Sequence, residues 1–306
     1  MNKLFLSFFI FITIIPITSF SYSTYSYSRL ENLNATGPEK VGRSDSGIEF
    51  PAYQHIVSDL INTAKTYPEY SELINIGSTE DNISTYGILL YNKKIEIKNL
   101  ILITGATHGN EFLNIANRLP DAFLNENNKS FYNFFDRGGA FFIIPVVNPY
   151  GFSNRTRTNA NNIDINRDFT NIITNKIRFT QKESQNYANW IEDFLTASNA
   201  KLKVSLDYHC CYDGALLFPW GYSKIPIPIN DRLLFNEIGN LLKNNFHDAI
   251  FGAVSEILWY GPDGTSMDYL YAKYNTLAMA YEGRYSTEEN YLEAHVEWWK
   301  DIIITF

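Results

Sequence analysis

His108 and Glu111 stand three residues apart in the run ITGATHGNEF, residues 103–112, where an apolar stretch gives way to a glycine-flanked turn. An imidazole and a carboxylate at that spacing can share one cation. The pair is a weak signal alone, because a chance HxxE is unsurprising in a chain with five histidines. A third donor is needed, and His209 supplies a candidate directly after the apolar run 202–208. Two imidazoles and one carboxylate, with a fourth position left to water, form the donor set of a catalytic zinc site; a closed structural site takes four protein donors.

These donors need elements to hold them. Four short apolar runs, 100–104, 140–147, 202–208 and 276–281, have the length of strands. Several are apolar at nearly every position, as in strands covered on both faces. Helical patterns lie at 52–66 and near 112–126, 181–198, 231–246 and 266–274, and Ser286-Thr-Glu-Glu289 has the form of a capping box opening a last, Trp-rich helix. Residues 74–78 and 85–92 read as a hairpin turned at Asp81-Asn82. The alternation predicts an α/β fold: a single globular domain over 51–306 with a mixed, mainly parallel sheet flanked by helices. Each of the four strands is followed at once by polar residues: His108 and Glu111, then the segment 148–169, then His209, then Glu282. Ligands in open α/β sheets bind beyond the carboxyl ends of strands, so parallel strands would bring the four clusters into one pocket.

Taken singly, the remaining signals are bland. A DxNR run such as Asp164–Arg167 is often a turn with a surface ion pair, and a lone Glu282 reads as a solvated carboxylate. Taken in order, HGNE, NPYG, TRTNANNIDINRDF, DYHC and AYEGR resemble the zinc metallocarboxypeptidase family through most of the chain after residue 70. The resemblance implies one Zn²⁺ held by His108, Glu111 and His209. It implies that Asn166 and Arg167 grip a substrate's terminal carboxylate and that Arg157 polarises the scissile carbonyl, with Arg155 a rival for that role. It further implies Asp164 as the carboxylate orienting the first histidine, Tyr260 as a closing tyrosine and Glu282 as the catalytic glutamate. A guanidinium binds a carboxylate through two parallel hydrogen bonds, which suits Arg167 to a chain terminus. Met267 falls where relatives selecting Lys or Arg can carry an acid, so a neutral or apolar C-terminal residue is expected, although nearby Asp263 could reach the same space.

The whole chain sets bounds. Residues 1–21 have a Lys, an apolar run too short for a confident membrane span, then small residues, the layout of a signal peptide. Export to the periplasm or the medium is expected, without stable membrane insertion, and residues 22–50 read as an irregular arm. The formal net charge is −8 with no basic stripe, which argues against a nucleic-acid partner. Cys210 and Cys211 are the only cysteines, so a Cys-rich metal site is excluded, and two buried thiols are expected. A monomer acting on peptides or cell-wall peptides is the resulting expectation. The alternatives are an N-acyl amino acid amidohydrolase of the aspartoacylase and succinylglutamate desuccinylase kind, and a protein that binds peptide C-termini without cutting. His55, His247 and His295 have no patterned partners and read as surface or core residues.

Overall fold

The computed structural model describes residues 23–24, 42–43, 49–212, 214–221 and 227–306. The expected leader at 1–21 and most of the arm lie outside them. The arm contributes three two-residue strands, β1 Ser23–Thr24, β2 Gly42–Arg43 and β3 Glu49–Phe50. In chain order there follow α1 Tyr53–Thr66, β4 Ser71–Ser78, β5 Ser84–Leu90, β6 Asn99–Gly105, α2 Leu119–Leu124, α3 Lys129–Asp136, β7 Gly139–Ile144 and α4 Pro149–Asn154. The second half has α5 Lys182–Ser198, β8 Lys201–Cys210, β9 Ala215–Phe218, α6 Ile229–Asn245, β10 Ile250–Ala253, α7 Val254–Ile257, α8 Ser266–Tyr274, β11 Leu277–Gly283 and α9 Glu289–Ile304.

One mixed sheet of nine strands runs β1-β4-β5-β7-β6-β8-β11-β9-β10. Its centre is parallel: β6 pairs with β7 and β8, and β8 with β11. The flanking pairs β4–β5, β5–β7 and β11–β9 are antiparallel. Every residue of β7 is buried, as expected for a strand covered twice. Phe141 and Phe142 show the two layers directly. Neighbours on a strand face opposite sides; Phe142 stacks on Trp190 of α5 at 3.6 Å, and Phe141 meets Trp299 of α9 edge-on at 5.7 Å. Helices therefore cover both faces, and the expected architecture is the observed one. No helix among the described residues is long and apolar enough to cross a membrane.

Some local expectations need correction. The helix expected near 112–126 is confined to Leu119–Leu124, because Asn114 adopts φ 63°, which a helix cannot contain. The last helix begins at Glu289 without a side-chain cap; Ser286 Oγ accepts the N–H of Glu288 rather than that of Glu289, so the capping box does not form. Strands β9 and β10, four residues each, were not foreseen; at that length an apolar run carries no readable period. The arm is less irregular than expected, since β2 pairs with β3 and β1 lies along β4.

Two glycines decide how closely the site can be built. A Cβ on Gly109 would lie 1.9 Å from the carbonyl carbon of Gly151 and 2.2 Å from the Phe152 nitrogen. The HGNE turn thus rests backbone to backbone on α4, whose Pro149 and Gly151 come from the NPYG motif. That contact leaves no room for any side chain. Gly109→Ala should therefore destabilise the protein by about 3 kcal/mol or more through overpacking, measured by denaturant unfolding. An unchanged midpoint would show that the turn and α4 can separate freely.

Candidate active site

The N–H of Glu111 donates to the carbonyl of His108 at 3.0 Å and closes a turn that puts both side chains on one side. β8 delivers His209 beside them. His108 Nδ1 and His209 Nδ1 lie 2.8 and 2.9 Å from the same Glu111 Oε2, and 3.2 Å from each other. The outer Nε2 atoms are turned to carboxylates: His108 Nε2 is 3.0 Å from Asp164 Oδ1, and His209 Nε2 is 2.8 Å from Asp207 Oδ2. Both Nδ1 atoms are therefore aimed at the shared oxygen. Donors about 2.1 Å from a tetrahedral zinc stand roughly 3.4 Å apart. The observed triangle need open only by a few tenths of an ångström to fit.

Asp164 is placed by its backbone. It caps a short 3₁₀ turn, Ile165–Arg167, accepting the Asn166 N–H at 2.9 Å on the oxygen that also meets His108. Arg157 crosses behind, donating from Nε to Asp164 Oδ2 at 2.9 Å and from Nη1 to Glu111 Oε1 at 2.8 Å. Arg155 goes elsewhere: its guanidinium stacks on Phe50 and Phe152 at 4.2 and 4.6 Å. Of the two rivals, Arg157 is the one in the site. Burial alone would raise the Glu111 and Asp164 carboxyls, but hydrogen bonds from the imidazoles outweigh it and hold both well below the usual carboxylate range. Burial would also lower His209, yet Asp207 and Glu111 hold it well above its ordinary value.

Glu282 faces the three donors from β11, in register with His209 on β8. Burial pushes its carboxyl up to about 7; His209 opposes this and Glu111 reinforces it. Glu111, Asp164, Asp207 and Glu282 together carry four carboxylates against the guanidiniums of Arg157 and Arg167. Glu111, Asp207, Glu282, Arg157 and Arg167 line a cleft of about 260 Å³ together with His108 and His209. A larger groove, about 650 Å³, lies between α1 and α9 and is lined by Asp59, Asp121 and Glu293, but no donor triangle converges there.

Beyond the donors, the cleft divides into a polar wall and an apolar one. Asn166 and Arg167 form the polar wall. Asn166 Oδ1 accepts the Ser266 N–H at 3.0 Å, which leaves its amide nitrogen beside His209 Nε2 at 3.3 Å. Leu217, Val254, Leu258, Met267 and Ala280 form the apolar wall. Asp263 does not reach it. Arg178 Nη2 holds Asp263 Oδ2 at 2.6 Å, Asn171 donates to its other oxygen, and Lys176 lies 3.8 Å away. Arg178 also donates to the carbonyls of Arg167 and Asp263 and so ties the polar wall to the loop carrying Tyr260. Tyr260 is 51% exposed at the rim, after Trp259 at 89%. Cys210 and Cys211 are bonded to each other, where two buried thiols were expected; β8 ends at Cys210, and Cys211 stands exposed on the cleft.

Asp207, Arg178 and the apolar wall apart from Met267 were not singled out from the sequence. Asp207 had a usable signal, because residues two apart on a strand share a face and DYH ends one. The other wall residues, Leu217, Val254, Leu258 and Ala280, come from three separate segments and had none.

A model of the zinc carboxypeptidase family matches residues 56–297. Carboxypeptidase SOL1 of Arabidopsis thaliana is 28% identical over 169 residues, covering 51% of this chain and 32% of that protein. Mast cell carboxypeptidase A of Rattus norvegicus is 24% identical over 267 residues, covering 76% of this chain and 63% of the relative. The chain thus spans less than two thirds of either relative. Among solved structures, carboxypeptidase A from Helicoverpa armigera superposes with a TM-score of 0.63 at 18% identity, covering 89% of this chain and 77% of that one. Thrombin activatable fibrinolysis inhibitor superposes with a TM-score of 0.67 at 19% identity, covering 84% and 75%.

The buried Glu282 carboxyl makes a signed prediction for the metal-free protein. With its value raised from 4.5 to about 7, the folded state keeps a proton that the unfolded chain releases, so stability falls as pH rises through that window. Glu282→Gln should be no more stable than the parent near pH 4, and more stable by on the order of 2–3 kcal/mol near pH 8. Chelator-treated samples unfolded in denaturant at the two pH values check this; a gain independent of pH would refute it.

Proposed function

Since the chain belongs to the zinc carboxypeptidase family, we propose that it is a zinc-dependent exopeptidase that hydrolyses the C-terminal peptide bond of peptides and prefers a neutral, apolar last residue. The observation that carries this reading is the convergence of the His108, Glu111 and His209 donors with Glu282 and Arg167 in one cleft.

His108, Glu111 and His209 would hold the metal. Zinc bound there would lower the pKa of a water toward ~7 and polarise a carbonyl oxygen. Arg167 takes the substrate's terminal carboxylate in two parallel hydrogen bonds, and the Asn166 amide nitrogen adds a donor. This fixes the cut at the last bond, because a chain that continued past the cleft would have no carboxylate to offer. Glu282 accepts the proton of the attacking water and delivers it to the leaving amine. Its raised value suits both steps, being neither too weak a base nor too weak an acid near neutrality. Arg157 places positive charge beside the cleft where the carbonyl oxygen becomes negative. Its bonds to Glu111 and Asp164 keep the guanidinium from swinging away. Tyr260, on its exposed loop, closes over the bound peptide. The last side chain enters between Met267, Leu217 and Val254, which offer it no charge. The domain at 51–306 carries all of this machinery, and residues 1–21 act as its export signal.

The test uses residues 22–306 and a panel of N-blocked dipeptides alongside N-acyl amino acids. Release of apolar C-terminal residues should be lost with a chelator and restored by zinc. Glu282→Gln should lower kcat by about 10²–10⁴. Met267→Asp should shift preference toward C-terminal Lys or Arg by about tenfold or more. Turnover confined to N-acyl amino acids would replace the peptidase with an amidohydrolase, and binding of peptide C-termini without turnover would remove the catalytic reading altogether.

A further inference from the structure

Asp207 is a carboxylate in the middle of a sheet. It lies on β8, level with Thr104 of β6 and Ala280 of β11, and is 2% exposed. Burying a charge there costs several kcal/mol unless hydrogen bonds compensate it. A strand packed on both sides is built more cheaply from an apolar residue, so packing does not explain an acid at this place.

Its contacts do. Oδ1 accepts from Thr104 Oγ1 at 2.8 Å. Thr107 Oγ1 reaches both oxygens, at 3.0 and 2.9 Å. Oδ2 meets His209 Nε2 at 2.8 Å, and Ser266 Oγ stands at 3.5 Å. The carboxylate is thus held by β6 and by the residue preceding His108 as it touches the ring of His209. The other polar group at that ring nitrogen is Asn166 Nδ2 at 3.3 Å, an amide nitrogen that cannot accept a proton. Asp207 is the acceptor there.

We propose that Asp207 is the positioning residue of His209: it keeps the ring proton on Nε2 and turns Nδ1, as the metal-binding atom, toward Glu111. This inference rests on the metal-site reading above. The two imidazoles then have matching arrangements from unrelated segments, His108 backed by Asp164 from a loop cap and His209 backed by Asp207 from its own strand. Carboxylates behind metal-bound histidines raise ligand basicity and fix the ring.

The experiment measures zinc affinity by chelator competition on residues 22–306. Asp207→Asn retains an acceptor for the threonines but presents an amide to the His209 N–H, and should weaken zinc binding about 10- to 100-fold. Thr107→Val removes one donor to Asp207 while leaving its contact with His209, and should stay within about threefold of the parent. An Asp207→Asn affinity within about twofold of the parent, or equal weakening by both variants, overturns the proposal and leaves Asp207 a strand anchor. A parent that binds no zinc at all fails the metal-site reading itself, which distinguishes the two. Should Asp207→Asn not fold, ring-nitrogen NMR of the zinc-loaded parent decides. A slowly exchanging proton on His209 Nε2 supports the assignment, and a proton on Nδ1 overturns it.

Discussion

A single carboxylate oxygen, Glu111 Oε2, lies within 2.9 Å of two imidazole nitrogens, and the rest of the site is arranged around it. A buried carboxylate is costly unless it is paired. Here the pairing groups are the other two donors, so each of the three holds the others in place. The constraint then spreads outward. His108 Nε2 meets Asp164, which caps the 3₁₀ turn Ile165–Arg167; His209 Nε2 meets Asp207, which accepts from two threonines of the neighbouring segments. Arg157 completes the ring by bonding Glu111 and Asp164 together.

The carboxyls of this arrangement titrate apart. Glu111, Asp164 and Asp207 are held ionised by imidazole partners close at hand, while Glu282, lacking a hydrogen bond of that kind, is driven upward by burial. The carboxyls around the donors are thereby separated into three held ionised and one that keeps its proton to higher pH. That separation follows from contact geometry and needs no special chemistry of glutamate.

The substrate side rests on different physics. Arg178 and Asp263 form a tie among backbone carbonyls and an acid, and its effect is as much exclusion as support. By consuming the charge of Asp263 it keeps that carboxylate out of the apolar wall, and by holding the carbonyl of Arg167 it fixes the backbone of the polar wall. Further along the same loop, Trp259 and Tyr260 face solvent at the rim of the cleft.

The sequence by itself determined the fold class and the donor set, because both are written in local patterns: apolar runs of strand length, helical periods between them, and polar motifs placed directly after strand ends. The family resemblance added roles for Asp164, Asn166, Arg167 and Glu282; the last three line one cleft, and Asp164 stands behind it against His108. Pairwise choices across the chain were not local, and only the tertiary structure decided them. Arg155 and Arg157 are two residues apart and equal in charge; their fates differ because Arg155 takes φ 57° at the end of α4 and folds onto Phe50. Asp263 was open in the sequence and is closed by Arg178, some eighty residues away. The two-residue and four-residue strands, the unwound stretch after Glu111 and the back-to-back glycines at 109 and 151 likewise depend on what packs against them. A period is a property of one segment, whereas a contact belongs to two, and the second partner is not visible from the first.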